Sequence, residues 1–293
     1  MLYWLPGPIL GVIMATLLLI NTVFWVTPLY VLVIVKLLLP IPALRRLISR
    51  LLSWIAQSWA MVNTLTARLC LRIEYDNRLP SSLDPRGQYL ACANHQSWND
   101  IFMLMQAMGF KAPFFKFFLK QELIWVPLLG LAWWGLDYPF MKRYTRAQIE
   151  KNPALKGKDM ETTRQACARF KDQPVMVLNF LEGTRFTPAK HQRQASPYQH
   201  LLKPKSGGFA FAMAAFGEQL NSLLNITIVY PDGSRGFWDF LCGRVQRVIV
   251  DVEELTIPHE LYDGDYENDP AFRARFHQWI STLWSEKDAR VEQ

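Results

Sequence analysis

No charged side chain occurs among the first 35 of the 293 residues, and no acidic one before Glu74. This argues against a cleaved secretory leader, which needs a basic segment ahead of its apolar run and a small-residue cleavage site behind it. Here Lys36, Arg45, Arg46 and Arg50 follow the run instead, and the segment is expected to be retained. Charge is scarce overall, 19% of residues against about 25% in an ordinary soluble domain. Cysteine is scarce too: Cys70, Cys92, Cys167 and Cys242 form no C-x-x-C pair. In a reducing compartment they are expected to be structural thiols. A zinc site on Cys92 and His95 would lack two further ligands at a recognisable spacing, so no metal is expected. Internal repeats and low-complexity tracts are missing. Basic clusters tied to a nucleic-acid reading module are missing as well, so nucleic acid is not an expected partner.

What is present begins with grease. An uncharged apolar run of more than about 18 residues is a membrane-spanning candidate, and residues 1–40 are expected to form a membrane-embedded helical segment. Pro28 lies inside the run and removes one helical hydrogen bond, which leaves two forms open, one kinked helix or two shorter legs in one leaflet. The positive charges that follow the run place the rest of the chain on the cytoplasmic side. Residues 41–70 carry Leu44, Leu47, Ile48, Leu51, Ile55 and Trp59 at helical spacing with arginines elsewhere on the turn. That pattern suits an amphipathic helix lying at the membrane interface, or equally one whose apolar stripe packs on the domain. Residues 61–250 hold 24 basic and 14 acidic side chains, and residues 251–293 hold 4 and 11. The basic excess sits in the middle of the chain, where it would favour an anionic membrane surface.

Residues 71–293 read as one cytoplasmic α/β domain. "LCLRIEY" alternates like a strand, "QYLACAN" is a short apolar strand, and "DIFMLMQAMG" has the composition of a helix stopped by Gly109. "PVMVLNFLEGTRFT" and "NITIVYPDG" each read as a buried strand running into a turn. Strands alternating with helical patterns argue for a sheet with helices on its faces and a ligand site beyond the strand ends. His95 falls at one such strand exit, five residues before Asp100. In a continuous helix that spacing separates the two by about 140°, so they can meet only across a turn. Asp100 then has two possible roles. It can cap the following helix, or it can accept a hydrogen bond from His95 Nδ1 and leave Nε2 as a general base.

Four ordered blocks add to this pattern: "NHQSWND", "KQELIWVPLLG" with "GLDYPFMKR", "FLEGTRFT" and "IVYPDG". Together they resemble the glycerophospholipid acyltransferase family, in particular its lysophosphatidic acid acyltransferases. "EGTRFT" followed by "LLKPKSGGFA" is similar to the lysocardiolipin-type branch, and "FHQWISTLWSEKD" adds a weaker likeness. Leu181 stands where many bacterial members have proline, and Lys142 also departs from the common pattern.

The resemblance implies a bacterial inner-membrane enzyme with an α/β fold, a mixed sheet and flanking helices behind N-terminal membrane-embedded helices. It implies acyl transfer from acyl-CoA or acyl-carrier protein to the sn-2 hydroxyl of lysophosphatidic acid, with no cofactor. His95 would be the general base and Asp100 its orienting partner. No enzyme nucleophile is needed, in keeping with the lack of a G-x-S-x-G elbow or a placed Cys–His pair. Arg185 is the leading phosphate ligand, with Lys120 and Arg143 next. Gly183 allows close backbone approach, Glu182 holds an arginine in place, and Thr184 completes the binding block. Any single basic residue among these can instead be a solvated surface charge. The alternatives are a reacylase for lysophosphatidylglycerol or lysocardiolipin, and a non-catalytic lipid-binding protein on the same fold.

Overall fold

The computed structural model describes residues 2–39, 41–141, 173–217, 220, 222–262 and 264–291, with 151, 152, 161 and 165 between them. Two long helices come first, α1 (Gly7–Leu38) and α2 (Pro42–Cys70). At 1.5 Å per residue the 32 residues of α1 reach about 48 Å, and Pro28 sits inside a single helix rather than between two legs. By length and composition α1 can cross a membrane. The two helices pack as a hairpin joined at its centre by polar pairings: Asn21 Nδ2 donates to Asn63 Oδ1 (2.7 Å) and to Trp59 O (3.0 Å), and Trp59 Nε1 donates to Thr22 Oγ1 (3.1 Å).

The stripe on α2 divides. Ile48, Leu52, Ile55 and Ala56 are buried against α1 and the domain, whereas Leu47, Leu51 and Trp54 remain exposed. One sequence expectation needs correction at the end of this helix. The apolar half of "LCLRIEY" does not form a strand: α2 runs to Cys70, and the first strand, β1, is the polar stretch Glu74–Arg78.

The remaining elements are β2 (Gln88–Ala93), α3 (Asp100–Met108), β3 (Phe115–Phe117), β4 (Leu119–Lys120), α4 (Leu129–Gly135), β5 (Phe140–Met141), β6 (Val175–Phe180), α5 (Pro188–Gln194), α6 (Gly207–Phe216), β7 (Ser222–Val229), α7 (Phe237–Leu241), β8 (Arg247–Leu255) and α8 (Pro270–Val291). Six strands form a sheet in the order β1-β8-β7-β2-β6-β3, and β4 pairs with β5 apart from it. β7, β2, β6 and β3 are mutually parallel, and β8 runs antiparallel to β7. The sheet is therefore mixed, as expected.

The burial of the central strands follows from two-sided packing. One face lies under α3, α7 and the amino-terminal half of α1, through Met14, Phe102, Met103 and Phe240. The other lies under α6 and α8, through Phe209, Phe216, Phe276 and Trp284. Lys287 of α8 is wholly buried there; its ammonium donates to Ile226 O and Thr227 Oγ1, and burial pulls its pKa down to about 8. After β2 the chain moves to β3 on one side and later to β7 on the other, so β2 sits at a topological switch. The carboxyl ends of β2, β6 and β7 open into one crevice, the usual ligand position in such sheets.

Candidate functional site

The turn between β2 and α3 holds His95 and Asp100. His95 Nδ1 lies 2.8 Å from Asp100 Oδ2. The same oxygen accepts from Gln96 N (2.7 Å) and Ser97 N (3.0 Å), and Tyr230 OH donates to Oδ1 at 2.8 Å. Burial and the adjacent carboxylate hold the Tyr230 hydroxyl well above its ordinary pKa, which keeps it a donor. Asp100 is 0% exposed, and four donors converge on it. The capping position of α3 is Asn99, not Asp100, and the Asp100 carboxylate bonds back into the turn. The geometry therefore favours the orienting role over the capping one.

His95 is fixed from three further sides. Its ring stacks on Phe180 with centroids 4.1 Å apart, its carbonyl accepts from Phe186 N (2.7 Å), and its amide donates to Glu182 Oε2 (3.3 Å). Among the described residues Nε2 has no protein partner. Paired hydrogen bonds join the neighbouring strand ends, Asn94 Nδ2 to Ile228 O and Ile228 N to Asn94 Oδ1, both 2.8 Å.

The turn after β6 supplies the second half of the site. Gly183 has φ +64° and its amide closes the turn onto Phe180 O; a side chain there would be strained and would press on Lys205, whose Cδ is 3.3 Å from the Cβ position. Glu182 is 0% exposed and accepts from Leu202 N and His95 N, each 3.3 Å. Instead of holding an arginine, as expected, it ties its own turn to the β2–α3 turn and to the segment between α5 and α6 through their backbone amides. Burial pushes its carboxyl up to about 8. Arg185 lies flat on the Trp98 indole, its Cζ 3.7 Å from the ring centroid, although Trp98 is 66% exposed. Thr184 Oγ1 accepts from Lys190 Nζ at 2.8 Å.

The structure thus brings His95, Asp100, Glu182, Gly183, Thr184 and Arg185 to one crevice. Lys120 lies on β4 in the small sheet, exposed, and no contact among the described residues joins it to the His95 turn. Arg143 lies outside the described residues. Trp98, Phe180, Tyr230, Lys190 and Lys205 also line or brace this region without having been singled out. Trp98, Phe180, Tyr230 and Lys205 lie within the quoted blocks, and Lys190 lies outside them.

The shifted Glu182 carboxyl gives a pH prediction. Its folded pKa is above the ordinary value near 4.5, so the folded state favours the protonated form. The associated stability is full below about 4.5 and is lost as pH rises through about 8. Glu182→Gln has nothing to ionise. The advantage of the wild-type melting temperature over this variant should shrink by at least about 3 °C between pH 5 and 8. A gap that is constant with pH in calorimetry would refute the assignment.

A sequence model of the acyltransferase family matches residues 72–231. The mouse 1-acyl-sn-glycerol-3-phosphate acyltransferase gamma is 26% identical over 188 residues, 60% of this chain and 45% of that protein. A 2-acyl-1-lysophosphatidylinositol acyltransferase of Saccharomyces cerevisiae is 23% identical over 247 residues, 69% of this chain and 60% of the yeast protein. The matches thus span less than two thirds of either relative's length. Among solved structures, the 1-acyl-sn-glycerophosphate (LPA) acyltransferase PlsC of Thermotoga maritima superposes with a TM-score of 0.52 at 12% identity, over 94% of this chain and 96% of that one. At that identity the likeness is one of fold.

Proposed function

The chain belongs to the acyltransferase family, and on that premise we propose that it transfers a fatty acyl group from a thioester to the sn-2 hydroxyl of lysophosphatidic acid. The donor is acyl-CoA or acyl-carrier protein, and the products are phosphatidic acid and the free thiol. The observation that carries the reading is the His95–Asp100 couple, 2.8 Å apart, in the crevice beyond β2. His95 Nε2 takes the proton of the acceptor hydroxyl as that oxygen attacks the thioester carbonyl carbon. Asp100 stabilises the imidazolium that forms. The carbon–sulfur bond then breaks, and the imidazolium returns the proton to the departing thiolate.

Binding follows the same geography. An apolar cavity of about 120 Å³ is enclosed by α1, α2, α3 and α4. Ile101 and Met105 line it from the helix that begins at Asp100, so an acyl chain lodged there has its carboxyl end toward the couple. Arg185, held face-on by Trp98, offers its fork to the acceptor phosphate. The exposed apolar surface of α1 is read as membrane-embedded, with the catalytic domain on the cytoplasmic side. A second reading, acylation of a lysophospholipid with a larger headgroup, is favoured by the name of the yeast relative.

The test is thiol release from palmitoyl-CoA by the purified chain. Release should require added lysophosphatidic acid; release without it would mean hydrolysis and would sink the proposal. Arg185→Lys keeps the charge but loses the fork. A hydrogen bond to a charged group contributes about 1.5–3 kcal/mol, so KM for lysophosphatidic acid should rise roughly 10- to 100-fold while KM for the donor changes little. Trp98→Ala should act in the same direction, more weakly. Unchanged kinetics in both Arg185→Lys and Arg185→Ala would remove Arg185 as the phosphate ligand.

A further inference from the structure

The chain has a second polar cavity, far from His95. A groove of about 180 Å³ runs between the first turns of α2 and the β3–β6 edge of the sheet. Arg46, Arg50, Lys116, Gln57, Trp54 and Phe114 are among its walls. Val175, the first residue of β6, closes its floor. At about 3.3 Å per residue, β6 itself therefore separates the groove from the crevice beyond Phe180. This is a different site from the one that holds the catalytic couple.

Its chemistry is one-sided. Three cationic side chains line it and, among the described residues, no carboxylate does. Arg46 and Arg50 stand four apart on α2, one above the other on the same face, so two guanidinium forks can address one oxyanion. Lys116 is only 7% exposed. Burial pulls its ammonium down to about 8, with Lys36 adding to the effect and Asp137 opposing it. The Asp137 carboxylate is itself engaged by Lys36 at 2.6 Å. An anion in the groove would oppose the desolvation that disfavours the charged lysine.

The rim of the groove indicates what the anion is attached to. Trp54 is 55% exposed and belongs to the groove wall, and Leu47 and Leu51 lie exposed beside the two arginines on the same helix. Within one helical turn the surface thus changes from cationic to apolar. This is the arrangement of a side-chain set at the level where lipid headgroups meet acyl chains. Gln57 Nε2 already donates to Ala112 O at 3.1 Å, which leaves it one further N–H for an anion; the charge that holds the anion comes from the cations.

We propose that this groove binds the phosphate headgroup of an anionic membrane phospholipid, gripped by Arg46, Arg50 and Lys116 with the glycerol and first methylenes against Trp54. The site is separate from the acceptor site and does not depend on the catalytic reading.

The experiment uses the full chain in nonionic detergent micelles titrated with phosphatidylglycerol, bound lipid being counted by native mass spectrometry. One phosphatidylglycerol per chain should be retained and phosphatidylcholine should not. Arg46→Gln combined with Arg50→Gln should raise the apparent Kd at least about tenfold, the loss of one or two charge-assisted bonds. Arg68→Gln combined with Arg72→Gln, which removes the same charge at and just beyond the far end of α2, should leave it within about twofold. Equal weakening in both pairs would mean diffuse attraction and would overturn the site, as would wild-type binding by the groove pair. Soluble glycerol 1-phosphate that displaces the lipid at equal concentration would overturn the lipid assignment. A second readout needs no arginine variant. Chain-brominated phosphatidylglycerol should quench tryptophan fluorescence saturably, and Trp54→Phe should remove that component; no saturable quenching in the wild-type chain refutes the proposal.

Discussion

Replacing His95 with alanine is expected to cut kcat by about 10²- to 10⁴-fold, the usual loss with a general base, while the fold survives. Both halves of that expectation come from the contacts. Nothing else in the turn offers a free ring nitrogen, and Nδ1 of His95 is already committed to Asp100. On the structural side, the imidazole is 18% exposed and touches chiefly Phe180. Its removal leaves Asp100 Oδ2 with two remaining donors, Gln96 N and Ser97 N, so no buried charge is stranded. A stability change of about 1 kcal/mol, or roughly 2–4 °C in melting temperature, is the scale to expect. A purified His95→Ala chain that keeps more than about a tenth of the wild-type rate would place the base elsewhere.

Asp100→Asn should be nearly as severe in rate and far milder in structure than Asp100→Ala. The carboxamide oxygen can still accept from His95 Nδ1 and the two backbone amides, and Tyr230 OH can turn to accept from the new NH₂ group. What disappears is the negative charge facing the imidazolium that forms as the acceptor hydroxyl loses its proton. A loss of about 10³- to 10⁴-fold in kcat, with both KM values little changed, is the expected signature. Asp100→Ala also orphans buried donors at about 1–3 kcal/mol each, so it should match the asparagine variant in rate but melt well below it. A fully active Asp100→Asn chain would reduce Asp100 to a scaffold for the turn.

The parts of this architecture that could be read from the residues are those in which one pattern carries one consequence. "QYLACA" is apolar on both faces because β2 lies between β6 and β7 under helices on both sides, and Gly109 ends α3 with φ +49° because few other residues tolerate that angle. The misread stretch before β1 shows the opposite case. Leu71, Arg72, Ile73, Glu74 and Tyr75 alternate between apolar and charged over too few residues to distinguish a helix end from a strand, whereas the true edge strand Glu74–Arg78 is polar and half-buried and gives no apolar signal. β4 and β5, two residues each, are too short to leave a pattern. Within the site, the six residues named from the motifs at 95–100 and 182–185 meet because their strands are neighbours. The Arg185–Trp98 stack joins positions 87 apart, through an exposed indole that reads like surface. Glu182 in turn met backbone amides rather than an arginine, and backbone partners have no residue type to announce them.

On the proposed acyl-transfer reading, the Asn21–Asn63 hydrogen bond bears on how long an acyl chain the cavity takes. That pair and the Trp59 Nε1–Thr22 Oγ1 hydrogen bond beside it (3.1 Å) fix one alignment of the two helices, because any slip leaves polar groups unpaired in a greasy setting. Val26 and Leu29, one and two turns further along α1, form part of the wall of the cavity that Ile101 and Met105 of α3 also line, and Ile55 and Ala56 of α2 form another part of it. A slip of one helical turn would carry one wall past the other by about 5.4 Å, several methylenes of depth. On that reading the two amide side chains, 42 residues apart in sequence, are the stop on a measuring gauge whose scale is the hairpin itself.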